Sequence, residues 1–221
     1  MADMQRRGPE PPPGRPEIQY TSGMADEMLR ELAPLLAEEG IDVDDLDVHD
    51  PHTLQNALNR AVQRHNMTLF TPVGQTRDLA VTTLRLAVDA LTNGNTTMAT
   101  AILDQVQPES PDNQAATVSA CIGVAVGLLD DWLSGHDPAA PAALGRQTRL
   151  PAGHWTGERA ATDILVLARK GRAFRSLDTL ITRQGGRHVL YGSALALAAA
   201  THSWSQHTGT PVPDLTRTTI R

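Results

Sequence analysis

The sequence predicts an all-α fold, a bundle of about seven or eight helices behind a disordered Pro-rich N-terminal tail, on three observations. Apolar residues make up 40% of the chain, chiefly Ala, Leu and Val, and only seven residues are aromatic. That balance suits closely packed helices better than sheets, which draw on aromatic and β-branched side chains. Apolar positions recur at intervals of three and four through most of the interior, and Gly, Pro, Asn and Asp punctuate them as stop and start signals.

Residues 1–20 are rich in proline and carry little that a core could bury, so they are expected to be a tail. A first helix is expected over 23–39, with Met24, Met28, Leu29, Leu32, Leu35 and Leu36 on one stripe, a kink or division at Pro34, and Gly40 as its stop. Asp50 before Pro51 pairs a capping side chain with a first-turn proline. It opens a second helix through Leu54, Leu58, Ala61 and Val62, which Pro72 and Gly74 end. A third runs over 77–92, with Leu79, Ala80, Leu84, Ala87, Val88 and Leu91 three and four apart. Asn93 and Gly94 close it, and Asn95 caps a fourth over 96–106. Ser110 before Pro111 heads a long helix that ends at Ser134, with Gly135 as its stop.

Residues 138–157 are weakly patterned and read as a linker or long connection. Helices then follow at 158–170, 173–184 and 188–206, separated by Gly171 and by Gly185 with Gly186, and 210–221 reads as a C-terminal tail. The medium, short, long order of 77–134 thus recurs over 158–209, with Trp132 and Trp204 near corresponding ends, which suggests two pseudo-repeated three-helix units. Both long helices are apolar over more than half their circumference, so they are expected to be central and adjacent. Ala120, Gly123 and Gly127 on one, and Gly192, Ala196 and Ala200 on the other, would permit close approach, and Gly127→Leu is expected to destabilise the fold by overpacking.

Charge divides the chain more sharply than its net of −6 indicates. Residues 1–137 carry 8 Arg against 21 acids, a net of −13, and residues 138–221 carry 11 Arg plus Lys against 4 acids, a net of +7. The expected organisation is therefore an acidic helical half over 21–137 and a basic helical half over 158–209. Cys121 is the single cysteine and falls in an apolar run, so it is expected to be a buried hydrophobe in a chain from a reducing compartment. No export signal opens the sequence, and the runs 118–129 and 189–200 fall short of the roughly 20 residues that cross a bilayer. A cytoplasmic protein without a membrane partner is expected.

Asp42, Asp44, Asp45, Asp47, His49 and Asp50 invite a metal reading, because hard cations gather carboxylates. An EF-hand is excluded: it requires a glycine at its sixth position and a glutamate at its twelfth, where Asp47 and Thr53 stand. The eight histidines form no His-Glu-x-x-His or Glu-x-x-His motif. Nucleotide-binding glycine loops and the Gly-x-Ser-x-Gly elbow are absent, and a buried Cys121 would be a poor nucleophile. Asp130 and Asp131 lie in the last turn of a helix, where the macrodipole disfavours negative charge, so an arginine of the basic half is expected to answer them.

Arg169, Lys170, Arg172 and Arg175, with Arg159, Arg183 and Arg187 nearby, form the basic cluster. The expected function is a non-enzymatic interaction or regulatory protein, without cofactor or metal. It would self-associate or bind a partner protein through Arg169, Lys170, Arg172 and Arg175 on one side and Asp44, Asp45 and Asp47 on the other. One alternative is a nucleic-acid-binding regulator working through the basic region 159–187, opposed by the acidic total, the single lysine and the scarcity of stacking aromatics. The other is a helical metal-dependent enzyme built on Asp44, Asp47 and His49 or on Asp130 and Asp131.

Overall fold

A computed structural model describes residues 67–109 and 115–221, with positions 33, 34, 36, 37, 40, 41, 56, 57 and 60. The chain forms two compact units, Met1–Arg64 and His65–Arg221. In the first, Ala33, Pro34, Leu36 and Ala37 are helical. Gly40 ends that helix as the spacing predicts: the Gly40 amide donates to the Ala37 carbonyl and the Ile41 amide to the Leu36 carbonyl, each at 3.0 Å, which is the reverse turn of a Schellman closure. The Pro-rich tail, the remainder of the first expected helix, the Asp50 cap and the acidic residues Asp44, Asp45 and Asp47 lie outside the described residues.

The second unit is all helical in its regular structure. In chain order its elements are α1 (Gly74–Thr92), α2 (Thr96–Asp104), α3 (Val118–Ser134), α4 (Leu144–Gln147), α5 (Glu158–Ala168), a 3-10 turn (Phe174–Ser176), α6 (Leu177–Gln184), α7 (Gly186–Thr208) and α8 (Val212–Thr219). Among the described residues the only extended pairing is one bridge between Gln107 and Thr117. Several boundaries follow the predicted chemistry. Asn95 accepts from the Met98 amide at 3.0 Å and caps α2. Gly135 closes α3 in the left-handed conformation. Others do not: Gly74 opens α1 rather than ending its predecessor, and Thr117 caps α3 by accepting from the Ala120 amide at 3.2 Å.

Helix α7 is the axis of this unit, packing against α1, α3, α4, α5, α6 and α8. Every residue over 189–201 is buried, as a helix apolar on all sides requires. The hydroxyls enclosed with it bond inward: Ser193 donates to the Leu190 carbonyl at 2.8 Å and Thr201 to the Leu197 carbonyl at 2.9 Å. The two long helices are neighbours, and Trp132 of α3 meets Trp204 of α7 edge to face, with centroids 5.2 Å apart.

Two of the expected glycines, Gly123 and Gly192, do make close approaches, but each to a partner other than the opposite long helix. A Cβ at Gly192 would lie 2.6 Å from the Ala160 Cβ and 2.8 Å from the Gly157 carbonyl, so the tight crossing joins α7 to the start of α5. On α3, a Cβ at Gly123 would overlap the Phe70 carbonyl oxygen, whereas one at Gly127 would meet nothing within 4 Å. The overpacking expected at Gly127 therefore belongs to Gly123.

Two segments expected to be irregular are ordered. The connection over 138–157 contains α4, which seats Leu144 and Thr148 with no exposure; the Thr148 hydroxyl donates back to the Leu144 carbonyl at 2.9 Å. Residues 210–221 contain α8, whose Leu215 and the following Ile220 enter the core. Arg85 of α1 holds its end, with Nε donating to the Ile220 carbonyl and a terminal nitrogen to the Arg217 carbonyl, both at 2.9 Å. Arg77 adds a bond to the main-chain oxygen of Arg221 at 2.7 Å. Cations over the last carbonyls of a helix satisfy its orphan acceptors and its dipole together.

Candidate functional site

Helix α5 buries Ala160, Ala161, Ile164, Leu165 and Ala168 and leaves Arg159, Thr162 and Val166 outward. Gly171, at φ +60°, lets the chain reverse directly after it: the Arg172 amide donates to the Leu167 carbonyl at 3.1 Å and the Gly171 amide to the Ala168 carbonyl at 2.9 Å. Ala173 is then fully buried, and the 3-10 turn begins. This reversal sets Lys170, Arg172 and Arg175 in solvent. Among the described residues, none of these three, nor Arg159 or Arg183, forms an ion pair with a carboxylate.

The turn is anchored from beneath by Asp130. Its two carboxylate oxygens accept from the Ala173 and Phe174 amides, each at 2.9 Å. Burial raises the Asp130 carboxyl above its ordinary range and Asp131 adds to the rise, while the two amide bonds and His136 oppose it. The expected arginine partner is thus replaced by two main-chain donors, which answer a carboxylate at the start of a helical turn as a cation would at its end. Asp131 is exposed. Beside it the Ser134 hydroxyl donates to the Asp130 main-chain oxygen at 2.5 Å, and His136 Nδ1 lies 2.6 Å from that hydroxyl.

Arg169 parts from its neighbours in sequence. It turns into a cleft of about 890 Å³ between α4 and α5, where its Nε donates to the Gly145 carbonyl at 2.7 Å and a terminal nitrogen to the Thr148 carbonyl at 3.0 Å. Arg149 reaches the same place, donating to the Arg146 and Thr148 carbonyls at 2.5 and 2.9 Å. Burial, and then the Arg149 charge, lower the Arg169 pKa from its ordinary value. Arg146 also lines the cleft. Sequence reading passed over Arg146 and Arg149, and no sequence signal joins them, because Arg149 lies past the end of α4, beyond the extended residue Thr148.

Among the described residues one ion pair joins the two sides of the charge boundary. Arg187 of α7 reaches Asp104 of α2 at 2.5 Å, and the Tyr191 hydroxyl donates to the same carboxylate at 2.7 Å. The Tyr191 bond, followed by Arg187, holds the Asp104 carboxyl below its usual range. Both charged groups are largely exposed, so the pair contributes little to stability. Burial pushes the Cys121 thiol up to about 12, with the Glu109 carboxylate adding to the rise. Among the described residues no three His, Cys, Asp or Glu side chains gather in a metal-ligating group, and no helix is long and apolar enough to cross a membrane.

The fold and site define an all-α helical bundle with a solvent-facing basic turn and a separate arginine-lined cleft. No family model matches the sequence, and no curated protein or solved structure is similar to it.

Proposed function

We propose that this chain is a non-enzymatic interaction protein whose basic turn binds an acidic protein surface, with a second copy of the same chain as its first partner. The observation that carries this reading is the set Lys170, Arg172 and Arg175, presented on one reversal without a carboxylate partner among the described residues. Exposed cations left unpaired steer and orient an oppositely charged partner. Residues 1–64 of a second copy offer 13 acids against 6 Arg, and include Asp44, Asp45 and Asp47.

A protein surface is favoured over a phosphate backbone. The amides of Ala173 and Phe174, flanked by cations, would be the natural seat of a phosphate, and the Asp130 carboxylate already fills that seat. Phe174, the aromatic side chain of the turn, is half-buried and packs against the core, which leaves less of it for base stacking.

Light scattering from about 50 mM to about 1 M salt tests the reading. The expected result is a mass above the monomer at low salt that falls to the monomer at high salt, and loss of the larger species in the Arg172→Ala, Arg175→Ala variant. A monomer at every salt concentration overturns self-association. A gel shift with duplex DNA that the same variant weakens would overturn the choice of a protein partner.

A further inference from the structure

The cleft that receives Arg169 has the size and composition of a small-molecule site, and its charge is unbalanced. It is an open groove of about 890 Å³, large enough to seat a metabolite-sized ligand along its surface. Part of the lining is apolar, from Leu133, Leu150, Leu165 and Val166, and Val166 stays 46% exposed. Beside these stand three arginines, Arg146, Arg149 and Arg169, with Glu158 as the one carboxylate in the lining.

The arginines are positioned by main chain rather than by acids. Arg149 and Arg169 both donate to the Thr148 carbonyl, so their head groups converge on one atom. Arg169 is fixed a second time on Gly145 and Arg149 on Arg146. Two like charges held this close repel, and each guanidinium has five N–H donors, of which these bonds use only some. Ordered donors beside apolar side chains are the components that recognise a charged head on a nonpolar body.

We propose that this cleft binds an amphipathic organic anion, a carboxylate or phosphate monoester bearing an alkyl or aromatic body, with its head on Arg146, Arg149 and Arg169 and its body along Leu133, Leu165 and Val166. The anion relieves the repulsion between Arg149 and Arg169 and covers the exposed part of Val166. This site is separate from the basic turn, and its occupancy does not depend on the protein partner.

Calorimetric titration of the full chain tests the proposal, with octanoate, octyl phosphate, 1-octanol and octylammonium as probes. Octanoate and octyl phosphate are expected to bind saturably at one site, the stronger of the two identifying the head group, while the alcohol and the amine give no saturable heat. Acetate and inorganic phosphate, which lack the body, are expected to bind at least about tenfold more weakly than their octyl counterparts. Arg146→Gln removes a side chain that holds no other element and is expected to weaken the octyl anions about tenfold, while Arg172→Ala with Arg175→Ala leaves them unchanged. Val166→Glu sets a negative charge among the apolar side chains and weakens them further. The inference is overturned if neither octyl anion saturates, if octanol binds as well as octanoate, or if Arg146→Gln and Val166→Glu, with wild-type melting curves, leave the affinity intact.

Discussion

Two alanine substitutions one turn apart on α3 are expected to move stability in opposite directions. A Cβ at Gly123 would overlap the Phe70 carbonyl oxygen and lie 2.6 Å from its carbon and 2.7 Å from its Cα, where ordinary contact begins near 3.4 Å. Backbone cannot rotate out of the way as the end of a long side chain can, so the Phe70 segment must retreat, and it carries a ring that is 5% exposed. Overpacking of this kind costs about 1–3 kcal/mol, and a contact with main chain on three atoms belongs at the upper end. Replacing a helix-interior glycine returns about 1 kcal/mol of propensity, leaving Gly123→Ala about 2 kcal/mol less stable than wild type. At Gly127 the new methyl meets nothing within 4 Å, so the propensity gain of up to about 1 kcal/mol stands alone. In a chain of this size these figures correspond to a melting temperature about 4–8 °C lower for Gly123→Ala and about 2–4 °C higher for Gly127→Ala. Circular dichroism melts of the three proteins read both changes. Equal shifts of the same sign, or an unchanged midpoint in Gly123→Ala, would refute the assignment of the close approach to Gly123.

Other consequences follow from the bonds that hold the periphery. Asp130→Ala strands the Ala173 and Phe174 amides and is expected to cost about 1–2 kcal/mol in denaturant unfolding; an unchanged midpoint would show that the turn does not depend on this carboxylate. Because the folded-state pKa of Asp130 is raised, the native state binds the proton more tightly than the unfolded chain does. The Asp130 contribution to stability therefore grows as pH falls from neutrality toward the ordinary value of 3.8, and is lost as pH rises through the folded-state pKa. Wild type measured against Asp130→Asn should gain relative stability across that window, and a flat or opposite difference would contradict it. Arg85→Ala releases the Ile220 and Arg217 carbonyls and is expected to cost about 1–2 kcal/mol, with faster hydrogen exchange confined to α8. Cys121, with its thiol at about 12 and no exposure, should resist Ellman's reagent at neutral pH until the protein is unfolded, and rapid labelling of the native chain would disprove its burial.

What the sequence made legible is what local physics controls. Helix α7 announces itself by an apolar run too continuous for one face, and Asn95 and Gly135 act at helix ends as their side chains and backbone dictate. Helix α8 was hidden because Thr216, Thr218 and Thr219 are weak helix formers and its end is held by Arg85, more than a hundred residues away. Its local signal was Pro213 and Asp214 in the first turn, set within a short Pro-containing stretch that also reads as a tail. Helix α4 is too short for periodicity to register. Arg169 and Lys170 are adjacent in sequence, yet one side chain turns into the cleft and the other into solvent, because the helix ends at Ala168 and the chain reverses at Gly171. The partner of Asp130 was unreadable for a different reason: charge counting seeks a cation, and main-chain amides at a turn carry no trace in composition.

A charge-swap experiment tests the central claim most directly. One chain carries Arg172→Glu with Arg175→Glu, and a second carries Asp44→Arg, Asp45→Arg and Asp47→Arg. The account predicts that each sediments as a monomer at low salt when alone and that the mixture forms a two-chain species, which salt dissolves. Two variants that each associate as wild type does, or a mixture that stays monomeric while wild type associates, would contradict it.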